Sequence, residues 1–307
     1  MRSNRPVGLI SITTSEPRPE AAAGPAADPV LDRTIGDFIR EVRQLSDAQV
    51  EEIVRYQGER GLRFGEAAVA LDLASRDDVL WALSQQFHYP YPAAEGVGFN
   101  PELVAATDPF GAQAEAFRGM RSQLLLGEMS PDKPRRALAM LSANVGDGKS
   151  FFAANLAIVF SQLGDRTLLI DADMRTPRLH QLFNVPNDYG LSGILSGRAE
   201  ADAIHSVAQL PSLFVLPVGT LPPNPLELLQ RQAFSRLLAE LLSKFDHVIV
   251  DTPAATHGAD ARVLAAKCGA AMFIGRRDTT RMKAVHALVS EVARGPGKVA
   301  GVVINEH

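Results

Sequence analysis

The stretch SANVGDGKS, Ser142 to Ser150, decides how this chain is read. It ends in the Gly-Lys-Ser of the phosphate-loop pattern G-x-x-x-x-G-K-[ST], but Ala143 stands where that pattern has its first glycine. Only a left-handed or crowded backbone position requires glycine, so Ala143 is acceptable if its φ stays negative. Gly146 and Gly148 let the backbone curl until its N–H groups point at phosphate oxygens. Lys149 supplies a point charge for the β- and γ-phosphates, and the Ser150 hydroxyl is a Mg²⁺ ligand candidate. With Asp147 and Phe151 these residues form the candidate nucleotide site.

The surroundings supply the strand and helix such a loop needs. Apolar strands are predicted at Ala137–Ser142, Thr167–Asp171, Leu213–Pro217, His247–Asp251, Ala270–Ile274 and Val299–Ile304. Helices are predicted at Lys149–Leu163, Pro225–Lys244, Asp260–Lys267 and Arg281–Arg294. Apolar strands joined by helical crossovers indicate an α/β fold, a doubly wound and mostly parallel P-loop sheet covered on both faces. Two further strands end in acid: RTLLIDADMR carries Asp171, Asp173 and Arg175, and FDHVIVDTP carries Asp251. Ligands of open α/β sheets bind at the carboxyl ends of strands. Lys149, Asp171, Asp173 and Asp251 are therefore the catalytic candidates, and Ser150 with the three aspartates the metal candidates. The competing reading makes each aspartate a helix cap or turn former.

The rest of the chain adds a second region. Residues 1–32 read as a disordered arm, rich in Pro, Ala and Arg. Residues 33–93 form a small helical module that repeats at a spacing of 29: Gly36, Ile39, Leu45, Val50, Val54 and Gln57 recur as Gly65, Ala68, Ala74, Val79, Leu83 and Gln86. Residues 94–107 read as a linker, and 108–307 as the P-loop domain. A net charge of -4 argues against nucleic acid as a partner. Cys268 is the single cysteine, which leaves no disulfide framework. No apolar run reaches the roughly 18 residues of a spanning helix, and the start lacks a signal-peptide pattern. The expected location is the cytoplasm.

These residues resemble the bacterial tyrosine kinases of exopolysaccharide export, P-loop proteins related to the partition and septum-site ATPases. Ser142 with Gly146–Ser150 is similar to that family's Walker A, Leu168–Arg175 to its Walker A′, and VIVDTP to its Walker B. GTLPPNPLELL resembles its G-x-x-P-P-N-P-x-E-L-L run, and EAFRGMR its E-x-x-R-x-x-R oligomerisation motif through Glu115, Arg118 and Arg121. Those three residues would equally suit a salt-bridged helix face. The resemblance implies Mg-ATP as phosphoryl donor, Arg175 and Asn305 at the nucleotide, a homo-oligomer, and a membrane-bound chain-length-determinant partner holding the protein at the inner face of the membrane. Partition-type ATPases carry a lysine where this chain has Asn144. The tyrosines are Tyr56, Tyr89, Tyr91 and Tyr189, without the terminal cluster of the family. Autophosphorylation on such a tail is therefore not expected, and a nucleotide-state switch competes with a kinase. Tyr89 and Tyr91 read as substrates or as packing aromatics.

The repeated module resembles the N-terminal domain of type II secretion and pilus ATPases, one branch of which binds cyclic di-GMP. The two 24-residue copies, Thr34–Gln57 and Arg63–Gln86, stand five residues apart as in that branch. Thr34, Arg40, Arg43 and Asp72 depart from its pattern, while Arg63 and Gly65 keep it and are the candidate ligand residues. Docking to a partner, or packing on the P-loop domain, is the stronger competing reading of the module.

Overall fold

A computed structural model describes residues 33–86, 99–198 and 202–306. They fall into two compact units, one within Thr14–Gly98 and one from Phe99 onward. The first is four helices: α1 (Ile35–Arg43), α2 (Asp47–Arg60), α3 (Phe64–Ala70) and α4 (Arg76–Gln86). Each starts where a residue at its third helical position reaches back to the chain before the helix. The carboxylates of Asp37, Glu66 and Asp78 and the amide oxygen of Gln49 accept the backbone N–H of Thr34, Arg63, Ser75 and Ser46. These pairs obey the 29-residue repeat. So does the core, with Ile39, Leu45 and Ile53 of the first copy answered by Ala68, Ala74 and Ala82 of the second, all buried. Large side chains in one copy fill the space left by small ones in the other. α1 packs chiefly on α4, and α2 on α3, so each copy completes its partner.

The second unit opens with α5 (Val104–Thr107) and α6 (Ala112–Leu126), continues through β1 (Ala137–Ser142), α7 (Lys149–Ser161), β2 (Thr167–Asp171), α8 (Leu179–Leu182), α9 (Leu191–Leu195), β3 (His205–Val207) and β4 (Leu210–Leu216), and ends with α10 (Pro225–Gln230), α11 (Gln232–Lys244), β5 (His247–Asp251), α12 (Asp260–Cys268), β6 (Gly269–Arg276), α13 (Met282–Ala293) and β7 (Lys298–Asn305). The strands form one sheet in the order β3-β4-β2-β5-β1-β6-β7, parallel except for β3. Alternate residues of β1 enter two cores: Ala137, Ala139 and Leu141 face α9–α13, while Leu138 and Met140 face α5–α8. The doubly wound arrangement read from the sequence is thus present. α7 is buried on nearly every side, and its apolar residues accordingly show no single stripe.

Three expectations need correction. Residues 103–107, expected within a linker, pack into the core through Leu103, Ala105 and Ala106. Asn155 of α7 fixes them, accepting the Ala105 N–H at 2.9 Å and donating to the Glu102 carbonyl at 2.8 Å. The helix expected over Pro225–Lys244 divides at Arg231, whose ψ of 152° is extended. Lys267 Nζ meets the freed carbonyls of Gln230 and Arg231 and the Ser235 hydroxyl there. β3 was not expected; it is a three-residue antiparallel edge strand, too short for a periodic signal. Tyr89 and Tyr91 and the arm 1–32 lie outside the described residues.

Candidate nucleotide-binding site

The register of the sheet assembles the site. β1 lies between β5 and β6, and β2 pairs with β5 so that Asp171 stands directly beside Asp251. The loop after β1 therefore rises next to both acidic strand ends, on the carboxyl edge where ligands of such sheets bind. Gly146 and Gly148 take φ of +83° and +103°. Ala143 is absent from the positive-φ positions, so no glycine is needed there. A cavity of about 280 Å³ sits on the loop. Val145, Gly146, Gly148, Lys149, Ser150 and Phe151 form its floor, and Glu102, Asp173, Thr176, Arg178 and Asn305 its remaining walls.

Lys149 is almost fully buried and its Nζ donates to Ser142 Oγ at 3.1 Å. Ser142 Oγ in turn donates a hydrogen bond to the Asn144 carbonyl at 2.7 Å. The ammonium is thus aimed by the last residue of β1. Asp147, expected to face the nucleotide, turns away from the cavity instead. Its fully buried carboxylate accepts the Asn144 N–H at 2.9 Å and the Thr280 hydroxyl at 2.7 Å. Thr280 in turn accepts the Arg276 N–H at 2.8 Å, and Asn305 Nδ2 donates to the Asp147 carbonyl at 3.2 Å. The loop is braced from the ends of β6 and β7. Thr280 was not singled out in the sequence, because a threonine in a turn carries no signal.

The three aspartates divide the work differently from the sequence expectation. Both oxygens of Asp171 are taken by backbone N–H groups: Asp173 on one, Arg178 and Leu179 on the other. It folds the chain after β2 and does not line the cavity. Burial, then the neighbouring Asp251, hold its carboxyl well above the usual carboxylate range. Asp173 lines the cavity, with its oxygens accepting the N–H groups of Arg175 and Thr176 and the Thr176 hydroxyl. Asp251 accepts one N–H, from Thr252, and its Oδ2 is buried without a partner. Burial pushes its pKa to about 6, against the pull of Lys149 and the Ser150 hydroxyl beside it. Among the described residues no three acidic, His or Cys side chains gather as a metal cluster. What fits Mg²⁺ is narrower: Ser150 with the open oxygen of Asp251, beside a phosphate cavity.

Arg175, expected at the nucleotide, is placed elsewhere. Arg175 does not line the cavity; its Nη2 pairs with the buried Asp260 at 3.0 Å, joining the turn after β2 to α12. Arg178, three residues on, does line it. On α6, Arg118 pairs with Glu115 at 2.9 Å and also reaches the Pro109 carbonyl, and Arg121 donates to the Val159 carbonyl. In the helical unit Arg63 is exposed, while Gly65 is buried against Val79.

A phosphate loop and an acidic strand end on a parallel doubly wound sheet define a P-loop nucleotide-binding protein. The chain belongs to the family of CobQ/CobB/MinD/ParA nucleotide binding domains, whose model matches residues 138–307. Among the curated proteins it resembles are bacterial tyrosine-protein kinases. It is 34% identical over 211 residues to the tyrosine-protein kinase YwqD of Bacillus subtilis, covering 68% of this chain and 88% of that one. It is 33% identical over 204 residues to the tyrosine-protein kinase Wzc of Salmonella typhi, covering 66% of this chain but spanning only 28% of that relative's length. Among solved structures, the kinase domain of the Escherichia coli tyrosine kinase Etk superimposes with a TM-score of 0.64 at 30% identity, over 70% of this chain and 83% of that one. The chimerical protein CapA2B2 does so with a TM-score of 0.63 at 32% identity, over 73% and 97%.

Proposed function

We propose that the α/β unit binds Mg-ATP in the loop cavity and transfers its γ-phosphoryl group to protein tyrosine, regulating exopolysaccharide polymerisation and export with a membrane-bound chain-length-determinant protein. The observation that carries this is the open, buried oxygen of Asp251 beside Ser150 and Lys149. An unpartnered buried carboxylate oxygen is costly and implies a ligand. The similarity to tyrosine kinases supports the choice of reaction. Lys149, steered by Ser142, draws the β- and γ-phosphates onto the loop N–H groups. Ser150 and Asp251 would hold Mg²⁺, which neutralises charge developing on the transferred group. Asp173, the aspartate lining the cavity, orients the acceptor hydroxyl. Glu115, Arg118 and Arg121 would contact a neighbouring subunit, and the partner would hold the assembly at the cytoplasmic face of the membrane. Among the described residues no helix is long and apolar enough to cross a membrane.

The test incubates the full chain with labelled ATP, with and without the partner's cytoplasmic tail, reading phosphotyrosine and free phosphate separately. Phosphotyrosine that disappears in Lys149→Ala is the expected result. Free phosphate without phosphotyrosine would replace the kinase by a nucleotide-driven switch. Normal Mg-ATP turnover by Ser150→Ala would remove the metal role. Calorimetric titration with cyclic di-GMP, repeated on Arg63→Ala, tests the module separately; no heat rejects that ligand.

A further inference from the structure

Arg178 belongs to none of the motifs that mark the phosphate loop, yet it lines the same cavity as Gly148, Lys149 and Ser150. Its backbone is pinned, because the fully buried Asp171 accepts its N–H at 3.2 Å. Its side chain is not pinned: it is half-exposed and its Nη2 meets Glu102 Oε1 at 2.7 Å. Glu102 lines the cavity too, and its own backbone is held by Asn155. The pair therefore joins two fixed points of the cavity wall by one ion pair between half-exposed side chains.

Half-exposed pairs of this kind are weakly held. A carboxylate on the wall of an anion site also repels the anion unless a cation masks it. A polyphosphate offers a guanidinium several charged acceptors in place of one carboxylate, and forked binding suits arginine. We infer that Arg178 leaves Glu102 for the phosphate oxygens of the bound nucleotide and is the second cation of the site beside Lys149. Glu102 is the group that parks it when the cavity holds no nucleotide. This exchange rests on the nucleotide binding proposed above for the same cavity.

The experiment is calorimetric titration of the full chain with Mg-ATP at two salt concentrations. The chains compared are the unaltered protein, Arg178→Ala, Arg178→Gln, Glu102→Gln and the Arg178→Ala/Glu102→Gln double variant, with circular dichroism melts to check folding. The expected result is Kd raised about tenfold or more by either arginine substitution, since charge-assisted contacts are the strong ones. Salt dependence becomes shallower in both variants. Glu102→Gln binds at least as tightly as the unaltered chain, and the double variant stays as weak as Arg178→Ala. Unchanged affinity in the two arginine variants overturns the exchange while leaving the nucleotide site standing. Full recovery in the double variant also overturns it, because Arg178 would then act only by masking Glu102. No binding by the unaltered chain would remove the proposed function and the exchange together.

Discussion

Replacing Gly148 by alanine would place a Cβ 2.5 Å from Asn305 Nδ2 and 3.6 Å from Phe152 Cδ2. The backbone there has φ +103°, so the substitution carries three costs. The left-handed conformation costs an L-residue about 1–2 kcal/mol. Pushing the Asn305 amide aside breaks its 3.2 Å bond to the Asp147 carbonyl, worth about 1 kcal/mol. Crowding adds about 1 kcal/mol more. The expected loss for Gly148→Ala is about 3–4 kcal/mol, survivable for a domain of ordinary stability. Gly146 has φ +83° but nothing within 4 Å of its Cβ position, so Gly146→Ala bears only the backbone cost of about 1–2 kcal/mol. The difference should vanish when Asn305 is already alanine, giving a coupling energy of about 2 kcal/mol in the double-mutant cycle. Urea unfolding must be followed by far-UV circular dichroism, because the only tryptophan, Trp81, lies in the helical unit. Equal losses for the two glycine variants, or a coupling near zero, would refute the brace between Asn305 and the loop.

In the helical unit the two repeat-equivalent glycines should respond oppositely. A Cβ on Gly65 would meet Val79 Cγ1 at 2.7 Å, and one on Gly36 makes ordinary contact at 3.5 Å. Gly65→Ala should cost about 1–3 kcal/mol by Trp81 fluorescence and be relieved in a Val79→Ala background, whereas Gly36→Ala should gain up to about 1 kcal/mol. Thr280→Val should weaken the α/β unit by about 1–3 kcal/mol, since it strips a partner from the buried Asp147 carboxylate, while Thr280→Ser should hold both stability and Mg-ATP affinity. Burial holds the His247 pKa below its ordinary 6.5, so the unfolded chain takes up the proton first. His247 therefore contributes stability above pH 6.5 that is lost as pH falls toward its folded pKa, and His247→Gln should flatten that part of the ΔG–pH curve; an unchanged slope would show that His247 titrates alike in the folded and unfolded chain. Cys268, buried and with its thiol pushed up to about 12, should react with a disulfide reagent only as the α/β unit unfolds.

The sheet was legible because its strands are apolar on both faces and its loops carry fixed chemistry. Ala137–Ser142, Thr167–Asp171 and His247–Asp251 read correctly to the residue, since each is an apolar run closed by a polar residue. What stayed hidden depends on contacts distant in sequence. Nothing near Leu103 announces that Asn155, some fifty positions away, will fold the segment onto α7. The break at Arg231 needs Lys267 of another helix to take its carbonyls. In the helical unit the spacing of 29 was visible, but not its consequence, that Ile53 of one copy and Ala82 of the other share one core by being unlike.

The roles of the acidic strand ends were hidden for another reason. Asp171, Asp173 and Asp251 are the same residue type at the same kind of position, and only the inventory of N–H groups around each separates them. The chain after β2 turns back on itself over Asp173 to Leu179 and spends its amides on the first two carboxylates. The chain after β5 runs on through Thr252 and Pro253, and proline has no N–H to give. Asp251 is consequently left with one free, buried oxygen. The same turn settles the arginines. Arg175 falls on its outer side, where the buried Asp260 needs a cation, and Arg178 falls on its inner side, facing the phosphate loop. A motif fixes which residues occur together; the hydrogen-bond supply of the turn between them decides which is structural and which stays open for chemistry.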